Sequence, residues 1–183
     1  MITLVEDVFN VLLKADVAIT NRQMLKLLVH SETKLERVST AILAVKKIKG
    51  CEVKVQLYTV PGQVKYSSTR KLVLKGCDGV VFVADSLKVR HEKNILSLKD
   101  LTLNLKEYGV NIFNFPLIMQ YNKRDLADEG LPLMSIEEMD DYYNRQLEAP
   151  AFAASAIAGK GVNDTLKACL VLTLRALRQE AGW

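Results

Sequence analysis

Histidine, tryptophan and paired cysteine are scarce in these 183 residues, which hold two histidines, one tryptophan and three cysteines. Cys51, Cys77 and Cys169 form neither a Cys-x-x-Cys pair nor a Cys/His spacing. That excludes the common metal-binding and redox motifs, and the three read as reduced thiols. His30 and His91 stand in isolation, which favours packing or surface roles over catalysis. No apolar run reaches the ~20 residues of a membrane span. The N-terminus lacks the basic stretch and small-residue cleavage site of a signal peptide, so a cytoplasmic location is expected. A large excess of one charge is missing too: 25 basic and 21 acidic side chains are interspersed, for a net charge of +4. Nucleic-acid recognition needs basic residues gathered on one face, so no nucleic acid is expected as a partner. Internal repeats, linkers and low-complexity tracts are also absent.

What is present suits one globular domain with a sizeable core, 49% hydrophobic and 25% charged. The chain is organised around the stretch Gln56-Leu57-Tyr58-Thr59-Val60-Pro61-Gly62-Gln63. Val53, Val55 and Leu57 alternate with Lys54 and Gln56, the period of a half-buried strand. Pro61 has no N–H and ends the ladder, and Gly62 lets the backbone approach a neighbour closely.

Thr3 and Glu6 form a capping-box pattern ahead of Val5, Val8, Phe9, Leu12 and Leu13, which predicts an early helix. Residues 21–30 carry an apolar set compatible with helix or strand, and residues 31–40 are polar and read as a loop. Ala41 to Lys47 and Glu52 to Val60, joined at Lys49-Gly50, predict a β-hairpin. Lys71 to Lys75 reads as a short helix. Gly79 to Ala84 is a continuous apolar run, as in a strand covered on both faces. Glu92 to Tyr108 predicts an amphipathic helix, and Phe115 to Tyr121 another strand. Ser135 and Glu138 form a second capping box, opening a helix to about Leu147. Phe152 to Ser155 reads as a short strand and Val162 to Arg178 as a final helix. Alternating strands and helices from Gly79 onward predict an α/β fold, a doubly wound, mostly parallel sheet with one antiparallel hairpin.

In such a sheet, ligands bind beyond the carboxyl ends of the strands. Four polar clusters fall there: Thr59 to Gln63, Asp85-Ser86, Asn122 to Asp125, and Ser155-Ala156. Asp85-Ser86 reads as a cap on the following helix. An apolar strand running into Asn-Lys-x-Asp is the most specific of these patterns.

These motifs resemble those of Ras-like small GTPases, and within them the bacterial MglA-type gliding and polarity GTPases. The resemblance is carried by Leu57 to Gln63, by Leu74-Lys75-Gly76 with Asp78 to Ser86, by Gln120 to Leu126, and by Asp164 to Ala168. It covers residues 31–183, with 1–30 as a divergent part of one small-GTPase-like domain spanning 1–183. The resemblance implies a GTP/GDP switch with GTP hydrolysis, serving cell polarity or motility. Asp125 would accept from the N1–H and exocyclic amine of guanine, because a carboxylate only accepts. Asn122 would hold the loop and meet the base edge, and the stem of Lys123 would lie over the ring. Ser155 belongs to the family's last motif, with the Ala156 N–H directed at the guanine carbonyl. Thr59 stands where the family at large places an Asp near Mg²⁺, Gly62 N–H would meet a γ-phosphate, and Gln63 would orient the attacking water. Residues 31–40 would be the first switch and Val64 to Arg70 part of the second. GTP or GDP with Mg²⁺ is the implied cofactor, and a roadblock-type regulator such as MglB the implied partner. No residue of this chain is assigned as a metal ligand.

One family feature is missing from the sequence. Phosphoryl transfer in this class uses a Gly-x-x-x-x-Gly-Lys-Ser/Thr loop after the first strand, whose amides, lysine and hydroxyl hold the phosphates and Mg²⁺. No such string occurs here. The first strand and its phosphate loop are therefore expected to be missing or replaced. Guanine contacts alone contribute roughly 5–8 kcal/mol gross at ~1.5–3 kcal/mol per charged hydrogen bond. Association costs an estimated ~4–15 kcal/mol, so affinity falls to about millimolar or weaker. The expected function is an impaired or incomplete member of the family. The alternative is a pseudo-GTPase that lacks the phosphate loop and acts as an interaction module without turnover.

Overall fold

A computed structural model describes residues 24–31, 39–48, 51–61 and 67–180. The helix expected before residue 21, the turn at Lys49-Gly50 and most of the 31–40 loop lie outside these residues. Six strands form one sheet: β1 (Met24–Ser31), β2 (Ser39–Ile48), β3 (Cys51–Pro61), β4 (Gly79–Asp85), β5 (Leu117–Asn122) and β6 (Ala151–Ala153). Their spatial order is β2-β3-β1-β4-β5-β6. All neighbouring pairs are parallel except β2 and β3, the predicted antiparallel hairpin.

The stretch that sequence pattern left open between helix and strand becomes β1. It occupies the central slot, paired with β3 from Met24↔Lys54 to Ser31↔Pro61 and with β4 from Leu27↔Gly79 to Ser31↔Val83. The central slot of the family's first strand is thus filled by residues 24–31, not missing, and no inner edge is left open there. Asp78 fixes the entry: its Oδ2 accepts from the Lys26 backbone N–H at 2.7 Å, and its own N–H donates to the Lys26 carbonyl at 2.8 Å. The side-chain Nζ of Lys26 donates to the Lys75 carbonyl and lies 5.0 Å above the Tyr58 ring.

The apolar run of β4 is explained by cover on both faces. Val81 and Val83 pack with Val55, Ile118, Cys169, Leu170 and Leu174, beneath the helix α4 (Val162–Glu180). Val80, Phe82 and Ala84 point the other way, toward Leu101 and Leu105 of α2 (His91–Glu107) and toward Met139 and Tyr143. Every residue of β4 and of β5 is buried. Before β4 lies α1 (Ser67–Leu74), which begins earlier than the Lys71 start expected from sequence. Its Arg70 is buried and pairs with Asp100 of α2 at 2.8 Å.

The second capping box forms as predicted. Ser135 Oγ accepts from Glu138 N and Glu138 Oε2 accepts from Ser135 N, opening α3 (Ile136–Met139). The helix then widens into a π turn over Asp140–Asn144 instead of running on to Leu147. Asp140 is engaged here by Tyr121 Oη at 2.6 Å and by Asn144 Nδ2 at 3.2 Å. The Asn144 amide also ties both the N–H and the carbonyl of Ala149, which turns the chain toward β6. Among the described residues, no helix is long and apolar enough to cross a membrane.

Candidate functional site

Five parallel strands deliver their last residues to one edge of the sheet. Ser31 lies level with Pro61 and Val83, Asp85 with Asn122, and Tyr121 with Ala153. Thr59 near the end of β3, Asp85-Ser86, Asn122 to Asp125, and Ser155-Ala156 therefore share that edge. Gly62 and Gln63 lie outside the described residues, as do 32–38 and 64–66 of the two expected switches.

The loops after β5 and β6 are joined. Asn122 Oδ1 accepts the Ala156 N–H at 2.9 Å, and the Arg124 N–H donates to the Ala154 carbonyl at 3.0 Å. The Ala156 N–H thus meets the Asn122 side chain, where the resemblance aims it at a guanine carbonyl. Ser155 exchanges backbone bonds with Lys160, both at 3.0 Å, and its Oγ accepts from Ala158 N at 3.2 Å. This closes a compact turn ending at Gly161, whose φ is +71°. A Cβ on Gly161 would stand 2.2 Å from the Ala153 carbonyl oxygen, so only glycine fits.

Lys123 takes the left-handed conformation, with φ 68° and ψ 31°, which costs a side-chain-bearing residue roughly 1–2 kcal/mol. Its Nζ donates to Asp85 Oδ2 at 2.6 Å, reaching from the end of β5 to the end of β4. Arg124 Nη1 donates to the Met134 carbonyl at 2.6 Å, pinning the next residue to the segment before α3. Asp125 follows in the short 3₁₀ turn Arg124–Ala127 and is half-buried. Among the described residues, none hydrogen-bonds its carboxylate. The result is an acceptor-only group on a tied loop, with no donor among the described residues.

Asp85 is the residue that sequence reasoning misplaced. It does not cap a helix: the 3₁₀ turn Lys88–Arg90 starts from Leu87 and α2 from Arg90, neither with a side-chain cap. Instead its buried carboxylate accepts from Leu87 N at 3.1 Å and from Lys123 Nζ, with Arg90 Nε 3.8 Å away. The Asn94 side chain clamps its backbone, accepting from Asp85 N at 3.1 Å and donating to Asp85 O at 2.9 Å. Behind Asn94, the Tyr143 hydroxyl meets Asn94 Nδ2 and His91 Nδ1. Burial raises the Tyr143 pKa, so it stays a hydroxyl. Ser86 Oγ is buried with no hydrogen-bond partner among the described residues. The only sequence signal for the role of Asp85 was an acid ending a fully apolar strand.

Over 137 residues the chain is 46% identical to the mutual gliding-motility protein MglA of Myxococcus xanthus (strain DK1622), covering 75% of this chain and 68% of that protein. The chain belongs to the MglA-type family of Ras-like small GTPases. No model of a known protein family matches it. The strand order agrees with this membership, since the hairpin flanks a central parallel strand as expected of a Ras-like sheet. An MglA-type protein implies guanine nucleotide with Mg²⁺. The base fits what is present, because Asp125 offers an acceptor that no described residue occupies at the strand-end edge. The Mg²⁺ donor set does not fit: the phosphate-loop hydroxyl has no counterpart in the sequence. Among the described residues, no group of three His, Cys, Asp or Glu side chains gathers.

Proposed function

We propose that this chain recognises guanine nucleotide at the rim of β5 and β6. Asp125 accepts from the base, Asn122 braces the Ser155-Ala156 loop, and the Lys123 stem covers the ring. The observation that carries this reading is the Asp125 carboxylate, without a donor among the described residues while Asn122, Lys123 and Arg124 are each tied down. A carboxylate that no described donor occupies keeps its acceptors open to a base. Three strand spacings separate β3 from β5 in the sheet order, about 14 Å at ~4.8 Å per strand. A nucleoside triphosphate laid along that edge would bring its phosphates toward the end of β3, and by family Gln63 would orient the attacking water. By family, the switch would serve gliding motility or cell polarity in the cytoplasm, with a roadblock-type regulator as partner.

A second reading has its own support. Residues 32–38, which connect the central strand β1 to β2, contain no glycine, so no phosphate cradle of the usual kind follows β1. This favours a pseudo-GTPase that docks partners without turnover. Two measurements separate the readings. Freshly purified native protein is denatured and its supernatant chromatographed for guanine nucleotide, and GDP is titrated against ADP at millimolar concentration. Guanine selectivity that disappears in Asp125→Ala supports base recognition, and equal response to GDP and ADP rejects it. GTP hydrolysis that is lost in Gln63→Ala rejects the pseudo-GTPase.

A further inference from the structure

We infer that Asp85 is a positioning residue for the guanine-base loop, acting through Lys123 to aim the Asp125 carboxylate; this rests on the guanine reading above. The local bond from Leu87 N to Asp85 Oδ1 could be made equally well by asparagine. A charge at this 4% exposed position is needed only for the cations it faces, Lys123 Nζ at 2.6 Å and Arg90 Nε at 3.8 Å. Lys123 tells the same story from the other side. Glycine or asparagine would adopt its left-handed backbone at little cost, so a lysine there is retained for its side chain. With its ammonium fixed to Asp85, the lysine stem is stretched between two anchored points at the edge where the base is proposed to lie. Asp85 itself is held by the strand pairing to Asn122 and by the Asn94 clamp, so it provides a rigid reference. Releasing it frees the backbone at 123, one residue before Arg124 and two before Asp125.

Guanosine and inosine differ only in the 2-amino group that Asp125 is proposed to accept. The ratio of their dissociation constants therefore reads the aim of Asp125, and it is unchanged when a variant merely loses part of its folded population. The full chain is titrated with each nucleoside as its soluble 5′-diphosphate, carried well past millimolar concentration, and followed by ¹H–¹⁵N NMR. Wild type is expected to favour guanosine about tenfold or more, the worth of one charge-assisted hydrogen bond. Asp85→Asn, which keeps volume and the Leu87 acceptor, is expected to bring the ratio close to one. Lys123→Met, which keeps an apolar stem and drops the ammonium, is expected to do the same, and it decides the matter where Asp85→Asn gives no native-like spectrum. Adding Asp85→Asn to Lys123→Met should change the ratio no further. A wild-type ratio retained in the folded variants overturns the role of Asp85 alone. A wild type that binds neither nucleoside, or binds both equally, overturns the guanine reading itself and the inference with it.

Discussion

The side-chain oxygen of Asn122 accepts the backbone N–H of Ala156 at 2.9 Å, so the loop after β5 and the loop after β6 behave as one piece. Asn122 is itself buried, and its backbone carbonyl accepts from Ser86 N, which couples β4 to the same unit. Asn122→Ala is expected to lower stability by about 1 kcal/mol, the net worth of a part-buried hydrogen bond. Urea denaturation measures that loss, and hydrogen exchange should show the Ala156 amide exchanging faster. An Ala156 amide with unchanged protection would show that the two loops are not coupled.

Two glycines with nearly the same backbone should respond differently. Gly161 and Gly130 have φ of +71° and +70°, but only Gly161 has a carbonyl in the space of a Cβ, whereas Gly130 faces nothing within 4 Å. Gly130→Ala is expected to cost about 1 kcal/mol from conformation alone. Gly161→Ala adds a clash with the backbone and should cost about 2–4 kcal/mol. Parallel denaturation curves for the two variants decide it, and equal losses would remove the clash from the explanation.

The buried Arg70 guanidinium meets Asp100 through Nε at 3.0 Å and Nη2 at 2.8 Å, holding α1 against α2. Asp100→Ala is expected to destabilise the protein by about 1.5–3 kcal/mol, the worth of a hydrogen bond to a charged group. The nearby Lys71–Glu107 pair at 2.9 Å lies in solvent. Glu107→Ala should leave the denaturation midpoint unmoved. A large loss from Glu107→Ala, or none from Asp100→Ala, would reverse this ranking.

Alkaline pH should weaken the fold from about pH 9 upward. Burial pushes the Cys169 thiol from 9.0 up to about 12. The unfolded chain thus releases this proton first, and stability that is complete below the unfolded value is lost as pH rises toward the folded one. The slope is about 1.4 kcal/mol per pH unit for one proton. Burial and the Asp140 bond also raise Tyr121, which steepens the loss above its ordinary value of 10.0. Stability measured at pH 8, 9 and 10 should fall less steeply between pH 9 and 10 in Cys169→Ala than in wild type; parallel slopes would contradict this.

The sequence by itself determined what short-range pattern can determine. The unbroken apolar run of β4 and the alternation of β3 announced their strands, because burial on two faces or on one leaves a period that needs no knowledge of neighbours. The Ser135/Glu138 box marked a helix start, since both of its bonds close within four residues. Asn122, Lys123 and Asp125 stand out as one motif because they lie within four residues. Residues 24–31 were not legible, because their apolar set suits a helix as well as a strand. Only the unpaired edges of β3 and β4, together with the Asp78 clamp on Lys26, choose the strand. Asp85 was misread for the same reason: its partner Lys123 is 38 positions away, and no local pattern carries a contact that exists only once β4 and β5 lie side by side.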